Sequence, residues 1–240
     1  MNNFDEVELL LFDMDGTLTD LRKRWWDPFF RAYDHVRPNS DKDEGEAIFT
    51  NSFEDIIKHS GGKSRFIIPK IIWKVTRAMG LNLIETVKLL RYIRKDKLAF
   101  KEIIPLEGSE NVVRELTQRG YKLALVTTAS RKTIDIAQNE LEFFDLFEPI
   151  ITRDDVKATK PEPEPLLLAC KKLNISIEQS VMIGDFPLDI QAGKSAGSRT
   201  IAVLGPNEKY TRSLIEKENP DVILKNLTEL LPLFPYKSTN

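Results

Sequence analysis

The stretch Leu9-Leu10-Leu11-Phe12-Asp13-Met14-Asp15-Gly16-Thr17-Leu18-Thr19-Asp20 decides how this chain is read. Its apolar opening has the length and character of a buried strand, and it stops at two carboxylates spaced one residue apart. Gly16 and Thr17 then turn the chain out of the strand. In a parallel sheet, ligands bind in the crevice outside the carboxyl ends of the strands. Two acids held there can grip a hard divalent cation through oxygen. One of them can attack a phosphorus centre while the other handles protons. The alternative is an acidic turn closing a strand, since Asp and Gly are ordinary turn residues.

Further segments follow in matching contexts. Tyr121–Val126 reads as a second buried strand, running into Thr127-Thr128-Ala129-Ser130. Lys160 follows a turn-rich stretch and precedes Pro161-Glu162-Pro163-Glu164-Pro165. Val181-Met182-Ile183 is a short apolar run ending in Gly184-Asp185-Phe186-Pro187-Leu188-Asp189. Between them, helical patterns at 109–118, 131–141, 166–173, 189–196 and 209–217 alternate with strands at 149–152, 200–203 and 221–224, with Ser109 placed to cap the first helix. This alternation predicts an α/β fold with a doubly wound, mostly parallel sheet.

The insert 21–100 lacks a strand pattern. Trp25, Phe29 and Tyr33 fall at helical spacing, as do Trp26 and Phe30, and apolar residues at that period usually form a core rather than a stacking box. Ile84, Val87, Leu90, Arg91 and Arg94 give a second amphipathic pattern with a basic side. Residues 38–46 read as a loop. The expected domains are a core of 1–20 and 101–240, and a helical domain of 21–100. The insert holds 17 Lys and Arg against 10 Asp and Glu, whereas the remainder holds 18 against 27. A basic insert and an acidic core suit an anionic substrate; a solvated helical surface is the other reading.

Composition narrows the class. The 240 residues are 41% hydrophobic and 30% charged, as in a globular protein with a real core. No apolar run reaches the length of a membrane span, and the N-terminal residues lack the pattern of a signal peptide, so a cytoplasmic location is expected. The single cysteine, Cys170, sits in an apolar helical pattern; it excludes an intrachain disulfide and a thiolate cluster, and reads as a small buried thiol. His35 and His59 have no second imidazole at ligand spacing. Gly62-Lys63-Ser64 and Gly193-Lys194-Ser195 mimic the end of a phosphate-binding loop, but Ile57 and Leu188 stand where its first glycine must be.

Taken together, the segments around Asp13, Thr127, Lys160 and Asp185 resemble the four motifs of the haloacid dehalogenase superfamily. Within it, the chain looks like the phosphoglycolate-phosphatase-like hydrolases with a helical cap, over about Val7 to Leu224. The resemblance implies a Rossmann-like core with the cap inserted after the first strand. It implies that Asp13 is the nucleophile forming an aspartyl-phosphate, and that Asp15 protonates the leaving alcohol and then activates water. Mg²⁺ would be held by Asp13, the Asp15 backbone carbonyl and Asp185. Thr127 and Lys160 would bind the phosphoryl group, Gly16 and Asp189 would support the site, and Asp189 would orient Lys160 or a metal-bound water. The alternatives for these residues are a helix cap for Asp185 and Asp189, a strand residue for Thr127 and a solvated charge for Lys160.

The chain departs from the family pattern at two positions. Thr128 stands where asparagine is frequent, which leaves a side-chain contact to substrate open. Trp25 stands where the β-phosphoglucomutase branch has histidine, and an indole is no general base. The implied activity is a Mg²⁺-dependent phosphatase on a small phosphorylated metabolite, phosphoglycolate first, with pyrophosphate, sugar phosphates and nucleotides open. A phosphomutase and a non-catalytic binding protein are the alternatives. No nucleic-acid or membrane partner is expected, and the protein is expected to be a monomer or small homo-oligomer.

Overall fold

The computed structural model describes residues 4–38, 40–41, 44–49, 52, 67–96 and 103–237. Six parallel strands form one sheet in the order β3-β2-β1-β4-β5-β6. They are β1 (Leu9–Phe12), β2 (Lys122–Val126), β3 (Ile150–Ile151), β4 (Ser180–Gly184), β5 (Arg199–Val203) and β6 (Val222–Leu224). Every residue of β1 is buried, because it lies between β2 and β4 with a covered face on each side. The chain proceeds from β1 through β2 to β3 on one side, then crosses to β4 and continues outward through β5 to β6. The carboxyl ends of β1 and β4 therefore flank the point where strand order reverses, the place where such sheets bind ligands.

The chain separates into two compact units, one of Met1–Asp20 with Pro105–Asn240 and one of Leu21–Ile104. The helical unit contains α1 (Asp27–Val36), α2 (Ile67–Ala78) and α3 (Leu83–Lys95), and residues 44–49 are also helical. The first contains α4 (Ser109–Gln118), α5 (Arg131–Glu140), α6 (Glu164–Leu173), α7 (Pro187–Ala196) and α8 (Glu208–Lys217). One face of the sheet presents Leu9, Leu11, Ala124, Val126 and Met182 to Leu166, Ala169 and Cys170 of α6. Side chains alternate along a strand, so Phe12 points the other way; it meets Phe147, with ring centroids 5.7 Å apart. Burying a side chain of this size contributes about 1.5–3 kcal/mol. Cys170 is buried, and its thiol is pushed up by that burial.

Among its described residues the helical unit has no strand. Its core joins Trp26, Phe29 and Tyr33 to Phe49, Val75, Leu89 and Ile93. The aromatics thus pack against one another, with Phe49 4.6 Å from Trp26 and 4.7 Å from Phe29 between ring centroids. Trp25 and Phe30 are half-buried at the edge of that core. His35 stacks on Tyr92 at 4.5 Å. His59 and the Gly62-Lys63-Ser64 segment lie outside the described residues. No helix among the described residues is long and apolar enough to cross a membrane.

Three local expectations are corrected. In α3 the buried residues are Thr86, Leu89 and Ile93, while Ile84, Val87 and Leu90 are exposed. Two apolar stripes overlap in that helix, and the one facing the core was not the one inferred from spacing. The loop expected over 38–46 gives way to helix from Glu44. Ser109 does not cap α4: Gly108 occupies that position, and Ser109 Oγ donates backward to the Leu106 carbonyl at 2.8 Å.

Candidate active site

Asp13 follows β1 directly, and its N–H donates to the Ile183 carbonyl of β4 at 2.9 Å. That bond extends the β1–β4 ladder by one residue and places the first acid at the switch point. Asp185 follows β4, and Asp189 lies in the first turn of α7. One oxygen each of Asp13, Asp185 and Asp189 falls within 4.8 Å of the others, and all three residues are buried. Lys160 reaches them from the loop before α6. Its Nζ donates to Asp13 Oδ1 and to Asp189 Oδ1, each at 2.6 Å.

Asp189 serves two partners at once. Its Oδ2 accepts the Phe186 N–H at 3.1 Å, satisfying an open donor at the start of α7, while Oδ1 takes the lysine. The loop carrying Lys160 is clasped by Glu164, whose two carboxylate oxygens accept the Lys157 and Ala158 N–H groups at 2.8 Å. Thr127, buried at the end of β2, accepts the Ala129 N–H at 3.0 Å, which leaves its own proton to donate. Thr128 is exposed.

Three carboxylates around one ammonium leave the cluster short of positive charge. The Asp13 carboxyl is pushed up to about 7, chiefly by burial, with Asp189 and Asp15 adding to the rise and Lys160 opposing it. Asp185 is driven well above the usual carboxylate range, again by burial first and then by Asp13 and Asp189. Burial works against the Lys160 ammonium, yet Asp13 and Asp189 raise it above an ordinary lysine. The lysine therefore stays charged. Asp185 Oδ1 accepts from Thr17 Oγ at 3.3 Å, whereas Oδ2 is buried with no hydrogen-bond partner among the described residues. A buried carboxylate oxygen without a donor is costly, and a cation bound there removes the cost. The all-oxygen donor set fits a hard divalent ion such as Mg²⁺.

Two glycines permit this packing. Gly16 adopts φ +100°, and a Cβ on it would lie 2.0 Å from Asp185 Oδ2. A Cβ on Gly184 would lie 2.3 Å from the Asp189 carboxyl carbon. The Asp15 carboxylate stands apart from the three-acid cluster and is half-buried, with Oδ1 accepting from Thr19 Oγ at 3.2 Å. Thr17, Thr19 and Glu164 are the polar residues at the site that motif reading passed over. The only sequence signal for the two threonines is their alternation with Asp15 along one short loop.

The model of the haloacid dehalogenase-like hydrolases matches residues 10–203, a span that includes all of these groups. The chain belongs to that family. It is 28% identical over 228 residues to the pyrophosphatase PpaX of Bacillus mycoides, covering 95% of this chain and 97% of the relative. Its fold is shared with a predicted phosphoglycolate phosphatase from Haemophilus somnus, at a TM-score of 0.69 and 19% identity, over 95% of this chain and 98% of that one. It is also shared with CbbY from Rhodobacter sphaeroides, solved in complex with phosphate, at a TM-score of 0.61 and 23% identity, over 95% and 99% of the respective chains. This protein is thus a hydrolase of the haloacid dehalogenase type, and relatives that match it over 95% of its length carry pyrophosphatase names.

Proposed function

We propose that this protein is a Mg²⁺-dependent phosphatase acting on a small phosphorylated metabolite through an aspartyl-phosphate on Asp13. The observation that carries the reading is Lys160 donating to Asp13 and Asp189 beside Asp185, whose inner oxygen has no donor among the described residues. Phosphate esters resist attack because their oxygens repel anions, so the site must supply positive charge and hold the reacting atoms in line. Asp13, Asp185 and the Asp15 backbone carbonyl would hold Mg²⁺, which when bound supplies charge that offsets this repulsion.

The chain's own residues do the rest. An Asp13 oxygen bonds to phosphorus as the bond to the leaving oxygen breaks, and Asp15 gives that oxygen its proton. Asp15 then takes a proton from water as the water oxygen bonds to phosphorus and the Asp13–phosphorus bond breaks. Lys160 keeps its proton throughout and, with Thr127, neutralises and orients the phosphoryl oxygens. The excess of basic residues in the insert 21–100 favours an anionic substrate.

Pyrophosphate is the substrate to test first, because the full-length relatives are named pyrophosphatases; phosphoglycolate, suggested by motif resemblance, is second. The test is phosphate release from p-nitrophenyl phosphate and from both candidates, with Mg²⁺ and with EDTA, for wild type and Asp13→Asn. Turnover should require Mg²⁺ and vanish in Asp13→Asn with an unchanged melting curve. Substantial hydrolysis by that variant would overturn the nucleophile assignment.

A further inference from the structure

We infer that Thr19 is a positioning residue for the proton transfer carried out by Asp15, an inference that rests on the phosphatase reading. The loop leaving β1 is tied to itself and to the returning chain. Thr19 N–H donates to the Met14 carbonyl at 3.0 Å, Gly16 N–H donates to the Thr19 carbonyl at 2.8 Å, and Leu106 N–H donates to the Leu18 carbonyl at 2.9 Å. Asp15 and Thr19 form a short parallel bridge, and Thr19 pairs antiparallel with Pro105. The Thr19 backbone is thus fixed both by its own loop and by the distant segment at Pro105 and Leu106. Its β-branched side chain has few rotamers to choose from.

Thr19 is 1% exposed. Its hydroxyl oxygen lies 3.2 Å from Asp15 Oδ1 and 3.2 Å from the Met14 carbonyl. Asp13 and Asp185 are buried, whereas Asp15 is half-buried, with the Thr19 hydroxyl against its Oδ1. Holding Oδ1 sets the plane of the carboxyl group and so the direction of Oδ2, the oxygen that exchanges the proton. Geometry of this sort matters, because an acid must sit within hydrogen-bond reach of the atom it protonates. The transfer itself is the one above: the leaving oxygen departs from phosphorus with the Asp15 proton, and water returns a proton to Asp15 in the second step. In this role Thr19 acts only through Asp15, and neither gives nor takes a proton.

A merely structural role predicts equal losses on all substrates. A positioning role predicts losses that scale with the need for a proton. β-Glycerophosphate has an alkoxide leaving group that must be protonated, whereas p-nitrophenolate hardly needs it. Single-turnover release of the leaving group should be measured for both in wild type, Thr19→Val, Thr19→Ser and Asp15→Asn. Thr19→Val should slow the alkyl ester by roughly tenfold or more, the loss expected for one hydrogen bond to a charged group. It should slow the nitrophenyl ester far less, and Thr19→Ser should restore both rates. Should Thr19→Val fail to melt cooperatively, Thr19→Ala is compared with Thr19→Ser in its place. Equal losses on the two esters, or no loss, overturn the inference when Asp15→Asn still shows the split. The absence of a split in Asp15→Asn itself removes Asp15 as the acid, and Thr19's role with it.

Discussion

Gly16 takes a left-handed backbone conformation and leaves no room for a side chain against Asp185. A methyl group there must push the Asp185 carboxylate away, besides straining the backbone. Gly16→Ala should therefore weaken Mg²⁺ binding by about 10- to 100-fold, the range seen when a ligand's support is disturbed. Titration of activity against Mg²⁺ measures it, and an unchanged midpoint would show that Asp185 does not hold the ion. Asp13 and Asp185 show the related principle that burial tunes acids. Their raised values arise in a cluster with one ammonium for three carboxylates, and a bound cation draws both back toward the ionised form.

In α3, two stripes compete for the core. Asn82 and Glu85 form a reciprocal cap, with Glu85 N–H donating to Asn82 Oδ1 at 2.9 Å and Asn82 N–H to Glu85 Oε2 at 2.7 Å. Arg37, just beyond α1, then donates to Glu85 Oε1 at 2.9 Å. These contacts accompany the orientation in which Leu89 and Ile93 are buried. Leu89→Ala should cost about 2–5 kcal/mol by urea denaturation, and Ile84→Ala less than about 0.5 kcal/mol. Comparable losses at the two positions would contradict the assignment of the buried stripe.

The turn after β3 offers a second test at this scale. Asp155 Oδ2 accepts from Thr152 N–H at 2.8 Å, Thr152 Oγ at 2.6 Å and Arg131 at 2.6 Å. Burial alone would raise this carboxyl, but the Thr152 donors and the Arg131 guanidinium hold it below the usual value. A depressed folded-state value means stability that is present above the unfolded carboxyl's pKa and lost as pH falls through the folded one. Asp155→Asn should accordingly be less stable than wild type at pH 7, with the gap closing toward pH 3. A gap independent of pH would assign the loss to packing instead.

For the whole molecule, under the proposed mechanism, the choice between hydrolysis and isomerisation turns on whether water is kept from an aspartyl-phosphate on Asp13. Trp25 cannot act as a base, and it lies half-buried at the edge of the helical unit's core, with the Arg24 guanidinium 5.6 Å from its ring centroid. Given glucose 1-phosphate, a bisphosphate activator and Mg²⁺, the protein should release inorganic phosphate faster than it forms glucose 6-phosphate. Parallel phosphate-release and coupled dehydrogenase assays decide this, and faster isomerisation would favour a mutase. Ca²⁺ should replace Mg²⁺ poorly, because its larger and looser shell suits in-line geometry less well.

The alternation of strands and helices along the chain and the acidic end of β1 were legible in the sequence because each depends on neighbours a few residues away. The order of the strands in the sheet, by contrast, is set by pairing across long separations. An apolar run followed by Asp-x-Asp-Gly describes a buried strand and its turn whatever surrounds it. Asp13, Lys160, Asp185 and Asp189 were also legible as candidates, since their motifs are local. Their convergence is a tertiary fact: Lys160 meets Asp13 across 147 positions of sequence. The burial of Leu89 over Ile84, the dual bonding of Asp189 and the contacts of Thr17 and Thr19 with Asp185 and Asp15 were decided the same way. Periodicity says that a helix has an apolar face, but the partner surface selects which face is buried. A motif likewise names the acids, and only packing shows which hydroxyl, N–H or ammonium each one meets.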